Sequence, residues 1–188
     1  MIMRQPFLIF LTGCCFVFLA ACDIATPEQY FGRAVLSSNL LYGFAGNGMQ
    51  RQLASPSVKL TDAKTGASAP MKRAEVLADK LEALQSDFAK VKALKSNDDA
   101  NEMLKASLAL YEFALPVYKN EYKELAALYD SGAAAEKIAA MEKSISEKYA
   151  AKFQALHTAL IATGKTYAAK HNIKVREVNP SPSFRSGR

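Results

Sequence analysis

The sequence predicts an all-α protein, and three observations carry that reading. The second half is dominated by Ala, Leu, Lys and Glu, which favour helix. Apolar residues recur at steps of three and four through three long segments from residue 71 onward. The links between those segments are short, which makes consecutive helices antiparallel neighbours. The expected architecture is a long antiparallel three-helix core. A shorter N-terminal fourth helix completes it over part of its length, in the manner of a four-helix bundle.

Taken in order, Thr26-Pro27-Glu28 reads as a helix start: a hydroxyl cap, a proline in the first turn, an acid at the positive dipole end. Tyr30, Phe31, Ala34, Val35, Leu41 and Tyr42 give that helix an apolar face, and Gly43, Gly46 and Gly48 end it after Tyr42. The stretch 46–70 is rich in Ser, Ala, Thr, Gly and Pro and has no sustained period, so a flexible loop is expected. Within it, Val58-Lys59-Leu60-Thr61 alternates and 62–66 suits a turn, the weak signature of a small hairpin.

A second helix is expected over 71–94, with Leu77, Leu81, Leu84, Phe88 and Val91 inward. Ser96-Asn97-Asp98-Asp99 ends it and caps the next. The third helix has the strongest pattern. Leu104, Leu108, Tyr111, Leu115, Tyr118, Tyr122, Leu125 and Tyr129 alternate steps of four and three without a miss. Pro116 lies inside this seam and should kink it. A turn at 130–132 leads to a fourth helix running to about Lys170, with Asn172 as its stop.

The third helix is asymmetric. Its first half carries a second apolar face in Met103, Leu110, Phe113 and Val117; its second half offers Lys119, Asn120, Glu121, Lys123 and Glu124 instead. The first half should be covered on two sides, partly by the short first helix, and the second half on one.

At the N-terminus, Arg4 and the α-amino group precede a short apolar run from Phe7 to Phe18, which ends in Leu19-Ala20-Ala21-Cys22. A spanning helix needs about 20 apolar residues. This run is shorter and Asp23 stops it. Leu-small-small-Cys at that position resembles the lipobox of bacterial lipoproteins. The resemblance implies removal of 1–21 as a signal peptide and diacylglycerol on the Cys22 sulfur, with acylation of the new amino group. Leu11-Thr12-Gly13-Cys14 also fits the pattern, but its apolar region would be too short, so Cys22 is preferred. In enterobacterial lipoproteins an Asp at the position of Asp23 resembles an inner-membrane retention signal, which favours the inner membrane and leaves the outer open.

The expected organisation is a signal peptide over 1–21, a lipidated anchor and tether over 22–25, a bundle domain over 26–172 and a basic, disordered tail over 173–188. Cys14 and Cys15 leave with the signal and Cys22 is blocked by lipid, so the domain has no thiol for a disulfide. The net charge is +6, and Lys174, Arg176, Arg185 and Arg188 against Glu177 make the tail basic. The tail is either solvated or touches anionic headgroups. Nucleic acid is not an expected partner of an exported chain.

Chemistry is sparse. His157 and His171 are the two histidines, with no Glu-x-x-His pair and no Cys-x-x-Cys-His run, so neither a metal nor a cofactor is expected. No Gly-x-Ser-x-Gly elbow or acid–His–Ser set appears. The glycines at 43, 46 and 48 follow a helix and lack the phosphate-binding Lys-Ser/Thr ending, so they read as a helix stop. Tyr111, Tyr118, Tyr122 and Tyr129 fill half of the seam. They are either core tyrosines at wetter edges or, for Tyr118, Tyr122 and Tyr129, rings offered to a partner.

The resulting expectation is a non-enzymatic, membrane-anchored periplasmic lipoprotein that binds another envelope protein as an adaptor or structural component. An immunity lipoprotein against a toxin remains open, as does a carrier of a small ligand inside the bundle.

Overall fold

The computed structural model describes residues 25–176. The signal segment, Cys22, Asp23 and most of the expected tail lie outside the described residues. Within them the chain is mostly helical, with one small two-stranded sheet: α1 (Pro27–Ala34), a 3-10 segment (Leu36–Leu41), α2 (Asn47–Ala54), β1 (Val58–Asp62), β2 (Ala67–Pro70), α3 (Arg73–Lys92), α4 (Asn101–Lys119), α5 (Glu121–Asp130) and α6 (Ala135–Lys170).

The first helix starts where its signals place it. The Thr26 hydroxyl accepts from the Gln29 amide and the Gln29 side chain accepts from the Thr26 amide, closing a capping box around Pro27. The helix ends sooner than expected, at Ala34, and continues as the 3-10 segment. Tyr30, Phe31, Ala34 and Val35 are buried. The Ser107 hydroxyl donates to the Ala34 carbonyl at 2.7 Å, pinning α1 to α4. Gly164 lets α6 approach closely, since a Cβ there would stand 2.8 Å from a Val35 methyl.

The stretch 46–70 differs most from expectation. It is not a featureless loop. Asn47–Ala54 forms α2, which buries Met49 and Leu53, and Val58–Pro70 forms an antiparallel hairpin. A helix of eight residues is too short to show a period, which is why α2 escaped the sequence reading. The hairpin turn is tied by Asp62, whose carboxylate accepts from the Lys64 amide at 2.7 Å. Gly43 and Gly48 do more than stop a helix. The backbone crosses itself there, and a Cβ on Gly43 would lie 2.6 Å from the Gly48 Cα. Gly43 (φ 76°) and Ala45 (φ 51°) are both left-handed, which turns Phe44 inward between them.

The seam of the third expected helix is inward along its whole length, but the helix is broken. Pro116 stays within α4, and the discontinuity falls one turn later at Asn120 (φ −111°, ψ −76°). The Asn120 amide still reaches the Pro116 carbonyl at 3.0 Å. The second face of the first half is covered as expected, with Met103, Leu110 and Val117 buried.

Helix α3 packs on α4 and α5, and α6 packs on the same two. Bonds far apart in sequence mark two ends. At one, the Tyr30 hydroxyl donates to the Lys95 carbonyl at 2.6 Å, Lys170 pairs with Asp99, and Tyr30 packs against Tyr167. At the other, the Asp130 carboxylate accepts from the first two amides of α3, Arg73 and Ala74, at 2.9 and 3.0 Å. Lys59 of the hairpin pairs with Glu75 beside them.

Candidate functional site

The three tyrosines singled out in the sequence do not form a surface. Tyr118 and Tyr122 are each 1 % exposed and stacked on one another with centroids 4.9 Å apart. As rings offered to a partner they are corrected to core residues. The physical reason is Phe44, which lies 5.6 Å from Tyr118 and 6.0 Å from Tyr122 and closes the side left open by the charged face of α5. The Ala45 amide then donates to the Tyr122 hydroxyl at 2.9 Å, supplying the polar partner a buried phenol needs. Burial raises the Tyr122 pKa to about 12. Tyr129 is half-buried and its hydroxyl donates to Glu142 at 2.8 Å; burial and that carboxylate raise its pKa to about 12.

The same insertion of Phe44 builds a recess. It is an open cleft of about 630 Å³ between the segment Ser38–Gly46 and the outer side of α6. Phe44 and Phe153, with centroids 4.6 Å apart, make its floor. Asn39, Tyr42, Gln154 and His157 stand around its rim, and Ala150, Ala151 and Ile161 complete the α6 side. Tyr42 is 75 % exposed, unusual for a large aromatic ring. The His157 imidazole stacks on Phe153 at 6.0 Å, and its burial holds its pKa below the ordinary value, so it is neutral near pH 7. No described lining residue carries a fixed charge.

Two other features lie near the ends. Ala25, Tyr30, Asp99, Tyr167 and His171 surround a smaller depression of about 330 Å³. The His171 Nε2 there is buried without a hydrogen-bond partner, 3.6 Å from Asp99. Lys170 and His171 together hold the Asp99 carboxyl below the usual range. At the opposite end the hairpin exposes Val58 and Leu60, which point to the same face of β1. Among the described residues no three His, Cys, Asp or Glu side chains converge as metal ligands would. No described helix is long and apolar enough to cross a membrane.

No protein-family model matches the chain, and neither a curated protein nor a solved structure matches it.

The cleft is not legible in the sequence because it is built from unlike parts. Its α6 side is the outer flank of a periodic helix, and its other side is the segment read as a helix stop. The available signal was Phe44, an aromatic residue set among three glycines within six positions.

Proposed function

We propose that this chain is an envelope lipoprotein that acts by binding another protein. Cys22 carries the lipid, Asp23 favours retention at the inner membrane, and the domain faces the periplasm as an antiparallel bundle. In that bundle α3, α4–α5 and α6 form the three-helix core, and α1 with the 3-10 segment is the shorter fourth member. The placement of bonds at the two ends supports these directions. Helix α3 begins beside Asp130, the end of α5, and α4 begins beside Lys170, the end of α6.

The observation that carries the binding reading is the separation between Ala25 and the hairpin. Ala25 lies three residues beyond Cys22, a span of at most about 10 Å. It packs at the end of the domain that holds Asp99 and His171. Val58 and Leu60 are exposed at the other end. Helix α6, with 36 residues, accounts for about 54 Å between the two. A domain standing on the membrane would hold an exposed apolar hairpin well away from the lipid. Paired exposed aliphatic side chains on a short strand have no role in folding the core and suit contact with a protein.

A photo-crosslinking residue placed at Leu60 in living cells tests this. The expected product is a discrete adduct with one envelope protein, formed from Leu60 and not from exposed Ala169 at the far end of α6. Equal adducts from both positions, or none from Leu60, would remove the adaptor reading. Mass spectrometry of the mature N-terminus tests the anchor separately: a chain beginning at Met1 or at Cys14 refutes lipidation at Cys22.

A further inference from the structure

We propose that the cleft between the Gly43–Gly46 segment and α6 binds an uncharged small molecule with a planar apolar ring and at least one hydrogen-bonding heteroatom. This is independent of the anchor and of the hairpin partner.

The floor sets the shape. Phe44 and Phe153, both buried, line the bottom of the cleft with rings 4.6 Å apart and tilted by 40°, and the less buried His157 ring continues this aromatic lining by stacking on Phe153. A flat ring gains both apolar burial and ring–ring attraction on such a surface. The recess, about 630 Å³, falls in the usual range for small-molecule sites.

The rim sets the polarity. Asn39, Gln154 and His157 offer amide and imidazole donors and acceptors without a net charge. No described lining side chain would neutralise an ion, and a desolvated unpaired charge is strongly unfavourable. In a chain with 22 % charged residues that absence is selective. A neutral ligand with a carbonyl or hydroxyl can satisfy the rim; a carboxylate, sulfonate or ammonium cannot.

The wall sets the rigidity. Ala45 is held at φ 51° and its amide is fixed on Tyr122, so the segment facing α6 is braced from the core side. Strained backbone held by its surroundings in this way is typical of ligand-clamping segments. Tyr42, exposed at the rim, is placed to fold over a bound ring.

Benzophenone, a neutral diaryl ketone, tests this by photolabelling the full-length chain in membranes, with labelled peptides located by mass spectrometry. Saturable labelling is expected within 38–46 and 150–161. The anionic analogue 4-benzoylbenzoate should label there about tenfold less, the discrimination expected for an unpaired charge. Ala151→Leu, at an exposed lining position, should fill the cleft and reduce benzophenone labelling about tenfold, with helix content and melting temperature unchanged. Gln154→Lys, also at an exposed position, should shift the preference toward the carboxylate. Labelling spread along the chain, labelling unaffected by Ala151→Leu in a folded protein, or stronger labelling by the carboxylate in the unaltered chain would each overturn the proposal. In the last case, loss of the carboxylate label in Lys165→Ala would place the ligand in the adjoining depression of α6 instead.

Discussion

The Ala45 amide donates to the Tyr122 hydroxyl at 2.9 Å, joining residues 77 positions apart. Through this bond the segment after α1 becomes part of the core. It places Phe44 against Phe113, Tyr118, Tyr122 and Phe153 at once, and it turns a helix face with few apolar neighbours into a buried one.

Tyr122→Phe keeps the ring and removes the acceptor. The Ala45 amide is then buried and unpaired, at a cost of about 1–3 kcal/mol. Tyr122→Ala should cost about 3–5 kcal/mol, because it also leaves a cavity. Urea unfolding followed by circular dichroism checks both. A neutral Tyr122→Phe would mean that the amide finds another partner.

The crossing at Gly43 and Gly48 leaves no room for a side chain. A Cβ on Gly48 would stand 2.8 Å from the Gly43 Cα. Gly48→Ala should therefore destabilise by about 1–3 kcal/mol through forced backbone movement. Gly32, inside α1, has no atom within 4 Å of a built Cβ. Gly32→Ala should stabilise by about 0.4–1 kcal/mol, through lower entropy of the unfolded chain. Opposite shifts in melting temperature are the expected result.

Alkaline titration should unfold the protein. Burial raises Tyr111 and Tyr122 from 10.0 to about 12, and raises Tyr118 further. These groups keep their protons when folded and lose them when unfolded. Their stabilisation is complete below pH 10 and falls as the pH rises through about 12. Each fully buried tyrosine removes about 1.4 kcal/mol per pH unit over that window. Tyrosinate absorbance should rise together with loss of helical signal. Ionisation of the buried tyrosines with helix content intact would contradict the packing around Phe44.

Amide exchange should divide the stretch 46–70 in two. The α2 amides lie over Met49 and Leu53, which are buried, and the Arg73 guanidinium donates to the Leu53 carbonyl at 3.1 Å. They should exchange slowly. The hairpin buries no residue and should exchange fast. Uniformly fast exchange through α2 would mean that this helix does not hold in solution.

Much of the fold was legible in the sequence because long helices repeat their packing surface many times. The seam from Leu104 to Tyr129 and the inward row of α6 are such repeats. The capping signal at Thr26 was local and therefore readable. What could not be read was every relation set by distant residues. The cap of α3 comes from Asp130, 57 positions away, and the cover of Tyr122 comes from Phe44 and Ala45. The candidate cleft belongs to this second kind, since neither of its sides is a pattern by itself. The tyrosine surface was misread for the same reason: a polar face beside Tyr122 suggested exposure, and the covering residue lay in a segment without a period.

The first helix lies on α3, α4 and α6, and Tyr30 rests against Tyr167. Its neighbours are thus made after it, and the last of them, α6, about 100 residues later. Until then Tyr30 lacks Tyr167 and Phe44 lacks Phe153, and a stretch this short gains little stability alone. The N-terminal quarter must therefore wait, and its docking is a late event in the birth of the molecule. Contacts of such wide sequence separation are slow to close. A chain stopped before α6 would leave those rings partly uncovered, prone to clumping with other unfinished copies.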